Sequence, residues 1–293
     1  MERYKKTKRA SILGILGNII LAVIKGIIGF MTGSQAMISD FFNSATDIFN
    51  SALTFVGNLI ASKPGDEDHN LGHGKAEYIY SLIISNVLIL TSLILLKDSI
   101  ETIITGKTYN YSFWLIVVCV ITIIVKLCLF LYTNILSKKY NNLLLKANSM
   151  DHRNDVFLTL LTLLSIILTS LKVKYIDGIV GAIIAGWIFY TALKLFKESY
   201  DVLMDKAISN EVKEEVLKII NKYPEIKKTN HFNSTPVGYK YQINFTIFVD
   251  GDLSTFESHN IADSLEKEIT KQIDEVYLTI IHVNPIKITK SNK

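Results

Sequence analysis

Charge is scarce in this 293-residue sequence: Asp, Glu, Lys and Arg make up 20% of it, against 49% hydrophobic residues. Soluble globular domains carry about 25% charged residues, and the mean hydropathy of +0.31 is high for one. A soluble enzyme and a disordered chain are both excluded on that ground. Cysteine is scarcer still. Cys119 and Cys128 share one apolar stretch and supply neither a disulfide framework nor a thiolate metal site. The net charge of +4 is not gathered into a dense basic patch with interleaved aromatics, so the partner is not nucleic acid. Nucleophile elbow, zinc-protease helix and phosphate-binding glycine loop are all missing, which argues against an enzyme.

What is present is long apolar sequence. A bilayer-crossing helix needs about 20 mostly apolar residues. Ser11–Met31, Tyr78–Leu96, Tyr111–Leu136, Val156–Leu171 and Gly178–Leu193 qualify or extend to do so. Lys25 interrupts the first and Lys126 the third. A sixth segment, Gln35–Ser62, is broken by Asp40, Asn43, Asp47 and Asn50. The sequence therefore predicts an α-helical membrane protein with six transmembrane helices. The first apolar run lacks a small-residue cleavage site and reads as a mature helix rather than a signal peptide.

Basic residues set the expected orientation. Arg3, Lys5, Lys6, Lys8 and Arg9 precede span one; Lys63 and Lys75 follow span two; Lys138, Lys139 and Lys146 follow span four; Lys194, Lys197 and Lys206 follow span six. The opposite side has Lys107, Lys172 and Lys174. Both termini are expected in the cytoplasm.

From about Lys206 the pattern becomes that of a soluble domain. Ser209 is placed to cap a helix that opens with Glu211, Glu214 and Glu215 and buries Val212, Val216, Ile219 and Ile220. Ile226–Asn233 and the alternating run from Tyr241 to Val249 read as strands, Thr255–Ile273 as a helix, and Val276–Val283 as a further strand. The order α-β-β-α-β predicts a small α+β sheet with two helices on one face. The domain expectation is 1–205 in the membrane and 206–293 in the cytoplasm.

Charges within a bilayer are expensive and are functional candidates by default. Asn43 and Asp47 in span two, and Asp151 and Asp155 in span five, each stand four apart, on one helix face. Two helices with two oxygen ligands each can close a four-ligand cage. Asp40 and Asn50 extend the first face, and Asn148 the second. An all-oxygen set suits manganese, magnesium or calcium, whereas zinc more commonly uses His or Cys. His152, about 100° round the helix from Asp151, is expected to face away as an interfacial residue. The loop from Asp66 to Glu77 brings Asp66, His69 and His73 together, either as a divalent-ion collector or as a solvated connector with glycine turns.

The six spans, the N-x-x-x-D and D-x-x-x-D pairs, the loop His69-x-x-Gly72-His73-Gly74-Lys75-Ala76-Glu77 and the α+β tail together resemble the cation diffusion facilitator family over nearly the whole chain. The resemblance implies a homodimeric, proton-coupled exporter of divalent metal from the cytoplasm across the cell membrane. It places the transport site at Asn43, Asp47, Asp151 and Asp155, and gives the tail a ferredoxin-like, metallochaperone-like fold. Lys75 and Asp205 match a charge pair at the family's dimer junction. Zinc-exporting members generally include a His among the four ligands. Here Asp151 takes that position, so the set resembles the manganese-exporting subgroup, with Zn²⁺, Fe²⁺ or Co²⁺ as alternatives. In the tail, His259 and His282 match ligand positions of zinc-type members. Thr246 and Asn284 stand where His and Asp are expected, and His231 is one residue from its expected place. A passive channel and a membrane-bound metal sensor are the rival functions. No cofactor is expected.

Overall fold

In a computed structural model, the structure describes residues 2–32, 35–105, 113–170 and 176–286. At 29–32, 35–40, 42–43, 45–46, 115, 162, 165–170, 176–178, 180 and 184 it describes the backbone alone. Lys107, Lys172 and Lys174, used for orientation, lie outside the described residues. The chain separates into two compact units, Met1–Lys63 with Ala76–Tyr200, and Pro64–Lys75 with Asp201–Lys293.

The first unit is built from helices α1 (Glu2–Thr32), α2 (Gln35–Ala61), α3 (Ala76–Thr105), α4 (Phe113–Lys139), α5 (Leu143–Ser170) and α6 (Ile176–Leu203). Each has 27 to 31 residues, and 27 residues of α-helix reach about 40 Å. Glu2–Ile28, Ala76–Thr105 and Ile116–Lys139 are long and apolar enough to cross a bilayer on those grounds alone; α2 and α5 carry the Asp and Asn interruptions. The burial pattern is inverted relative to a soluble bundle. Large apolar side chains such as Ile20, Leu90, Ile94, Ile124 and Ile183 are exposed, while Asn18, Lys25, Asp47, Lys126, Asn148 and Asp151 are buried. That pattern suits a lipid solvent, in which polar groups must find one another inside the bundle.

One polar junction ties three helix ends. Arg3 at the start of α1 donates to Glu77 at the start of α3 (2.5 Å) and, through Nε, to the Tyr140 carbonyl (3.0 Å). The second Glu77 oxygen accepts the Leu143 backbone N–H at 2.6 Å, satisfying a free donor at the α5 N-terminus, where a carboxylate is favourable. Asn142 caps the same helix, its Oδ1 accepting from Leu145 N at 2.8 Å.

The second unit contains α7 (Asn210–Ile220), β1 (Lys228–Val237), β2 (Lys240–Asp250), α8 (Thr255–Gln272) and β3 (Val276–Ile286). The sheet order is β1-β2-β3, with β1 antiparallel and β3 parallel to the central β2. Ile243, Phe245, Ile247 and Val249 alternate onto one face and bury against Val216, Ile219 and Ile220 of α7 and Leu265 and Ile269 of α8. This is the expected α+β, ferredoxin-like arrangement with both helices on one side of the sheet. Ser209 caps α7, and Ser254 with Glu257 forms a capping box on α8. The first strand starts two residues later than the sequence indicates and runs on to Val237. Its partner continues to Lys240, and Gly238 (φ +62°) turns the chain between them. Pro236 is tolerated there because β1 is an edge strand.

Candidate metal centre

Three of the four cage residues predicted from sequence have described side chains, and they meet around one cavity. Asp47 on α2 and Asp151 and Asp155 on α5 are 4%, 5% and 7% exposed. They line a cavity of about 20 Å³ with Asn50 and Asn154, over apolar Leu88 and Ile188. Such a space holds about one water-sized guest. Asn43 lies one turn before Asp47 on α2, and its side chain, like that of Asp40, is outside the described residues.

The oxygens at this cavity are unequally engaged. Asn50 Nδ2 donates to Asp151 Oδ1 at 3.0 Å. Asp151 Oδ2 and Asn50 Oδ1 are buried and have no hydrogen-bond partner among the described residues. A buried carboxylate oxygen without a partner costs free energy unless a cation or proton completes it. The donor set therefore fits a hard divalent ion as substrate.

Sequence reasoning missed a cation already in contact with the cage. Lys126, on α4 and 0% exposed, donates to Asp47 Oδ2 and Asp155 Oδ2, each at 2.6 Å. Lys25 on α1 is also buried, and its Nζ donates to Ser44 Oγ on α2 at 3.1 Å. Each is a lone lysine in an apolar span, which is the sequence signal for a buried, paired cation.

His152 corrects an expectation. It does not face away from the cage: it is fully buried, and one of its ring nitrogens lies within 4.8 Å of ligand atoms of Asp151 and Asp155. A side chain built at Gly14 of α1 would stand 3.6 Å from its Nε2. The imidazole lies inside the bundle, close both to the two carboxylates of its own helix and to Gly14 of α1.

In the other unit, Asp66, His69 and His73 bring ligand atoms within 4.8 Å of one another. The His69 backbone N–H donates to Asp66 Oδ1 at 2.7 Å, and this bond, with the two imidazoles, holds the Asp66 carboxyl below its ordinary range. His73 Nε2 is 3.4 Å from Asp66 Oδ2, while its Nδ1 is 3.3 Å from the Pro64 carbonyl. A proton on Nδ1 leaves Nε2 available as a ligand atom. Lys75 donates to Asp205 Oδ1 at 2.8 Å. His282 pairs in register with Thr246, and Asn284 with Phe248, whereas His259 is exposed on α8. Among the described residues no group of three metal-ligating side chains includes His259 or His282.

Residues 11–204 match the family model for the cation efflux transmembrane domain, and residues 208–286 that for the cation efflux protein cytoplasmic domain. The manganese efflux system protein MneP of Bacillus subtilis is 29% identical over 292 residues, covering 97% of this chain and 98% of that protein. MneS, a manganese efflux system protein of the same organism, is 28% identical over 290 residues, covering 98% and 99%. Among solved structures, the metal-bound C-terminal domain of the CzcD transporter from Thermotoga maritima aligns at 23% identity and a TM-score of 0.26, covering 28% of this chain and all of that domain.

Proposed function

The chain belongs to the cation efflux (cation diffusion facilitator) family, and we propose that within it this protein exports Mn²⁺ from the cytoplasm in exchange for protons. Members of the family are transporters, so the chain is a carrier of metal cations and not an enzyme. The observation that carries the manganese reading is the all-oxygen cavity wall of Asp47, Asn50, Asp151 and Asp155, with Asp151 Oδ2 left unpartnered among the described residues. Hard oxygen donors favour manganese over softer ions, and two relatives are named as manganese efflux proteins.

In this reading Asn43, Asp47, Asp151 and Asp155 bind the ion from the cytoplasmic side. Outward opening then lets external protons compete for the three carboxylates and release it. Asn43 offers a neutral carbonyl and limits the site's charge. The Asp66–His69–His73 triad is a second cation site in the cytoplasmic loop. The protein works as a homodimer in the cell membrane, with both termini cytoplasmic and Lys75–Asp205 at the dimer junction.

A zinc, iron or cobalt exporter is the second reading. The imidazole of His152 beside Asp151 and Asp155 favours it, because a nitrogen ligand suits those ions. Growth of manganese-sensitive cells expressing the protein, scored on a panel of toxic metals, separates the two. Rescue confined to manganese supports the first reading; rescue on zinc or cobalt but not manganese overturns it.

A further inference from the structure

We propose that Lys126 is the resident cation of the transport site: a tethered positive charge that a divalent ion must displace and that free monovalent ions cannot. The inference rests on the reading of Asp47 and Asp155 as metal ligands.

Three observations carry it. Lys126 is the one charged residue of α4 before Lys138, and it is completely buried. An ammonium at that depth is expensive unless it has a partner. Its Nζ bridges the two helices that carry the cage, at 2.6 Å from one oxygen of Asp47 on α2 and 2.6 Å from one of Asp155 on α5.

The consequence is competition by charge. Charge-assisted hydrogen bonds from one ammonium to two carboxylates are strong, and a cation held on the protein's own chain acts at a high effective concentration. A free sodium or potassium ion offers the same single charge without the tether, so it is outcompeted. A divalent ion brings twice the charge and also engages Asp151 Oδ2 and Asn50 Oδ1, which the ammonium leaves unpartnered among the described residues. Lys126 therefore does two jobs. It filters by valence, and it keeps the carboxylates from holding metal too tightly to release.

The test is Mn²⁺ binding to the purified full-length protein, read from the electron paramagnetic resonance signal of free Mn²⁺. It is run in sodium chloride and in N-methylglucamine chloride at equal ionic strength. Wild type is expected to bind equally in both salts. Lys126→Gln is expected to bind about tenfold more tightly in N-methylglucamine and to lose that gain in sodium. Unchanged or weaker binding by a folded Lys126→Gln protein, indifferent to sodium, overturns the proposal. Should that variant fail to fold, Lys126→Arg decides. Its planar fork grips two carboxylates more firmly, so Mn²⁺ binding is expected to weaken, and equal or tighter binding overturns the idea. Asp47→Ala and Asp155→Ala separate the two levels of inference. If both bind Mn²⁺ like wild type, the ligand reading falls and takes the proposal with it. If both lose binding while the Lys126 variants are unmoved, the role of Lys126 alone is refuted.

Discussion

Asn50 on α2 donates across 3.0 Å to Asp151 on α5, so that one oxygen of the carboxylate is held and the other is left for a guest. The contact joins the two helices that supply the cage and orients the Asp151 carboxylate. An amide is suited to both tasks, because it donates to the carboxylate and keeps its own oxygen for the cavity.

Asn50→Ala is therefore expected to weaken apparent Mn²⁺ affinity by about tenfold, in line with the loss of a group that orients a ligand. The transport KM should rise more than the maximal rate falls. Initial-rate measurements over a range of Mn²⁺ concentrations check this.

Asp151→His replaces a hard oxygen ligand at the cavity with an imidazole. Preference is expected to shift from manganese toward zinc. Competition between the two metals in one transport assay reads the shift; an unaltered preference would show that Asp151 does not set selectivity.

Glu77 is 1% exposed and bonds both Arg3 and the Leu143 N–H. Glu77→Ala strands a buried guanidinium from its carboxylate partner, and breaking such a pair costs about 3–5 kcal/mol. Glu77→Gln keeps an acceptor for Leu143 and should cost less. Thermal unfolding of the two detergent-solubilised variants gives the order.

Gly74 approaches Gly238 so closely that a Cβ on Gly74 would sit 2.6 Å from the Gly238 Cα. Both belong to the second unit. Gly74→Ala is expected to cost about 1–3 kcal/mol of local stability through overpacking and to release the 64–75 loop. Faster hydrogen exchange at backbone amides of 64–75 and of the β1–β2 turn is the expected signature.

The helices, the α-β-β-α-β tail and the carboxylate pairs were legible because each is written in local periodicity. Asp151 and Asp155 share a face by helix geometry alone, and Ile243, Phe245, Ile247 and Val249 alternate because a strand does. What the periodicity could not supply was the neighbour across a gap. Lys126 meets Asp47 and Asp155 at separations of 79 and 29 residues, and only the packing of α5 against both α2 and α4 brings them together. The placement of His152 has the same origin. A 100° rotation defines a direction on an isolated helix, but inside a bundle that direction meets another helix. Glu77 closes a sequence motif that reads as loop chemistry, yet it works as a buried tie among helix ends, because its partners Arg3 and Leu143 are far away in the chain.

Mn²⁺ uptake into sealed, inside-out membrane vesicles carrying an imposed pH gradient tests the central claim most directly. Wild-type vesicles are predicted to accumulate Mn²⁺ only while the gradient stands, and Asp47→Ala and Asp155→Ala vesicles to accumulate none. Gradient-driven uptake that survives intact in both variants would contradict the assignment of the site.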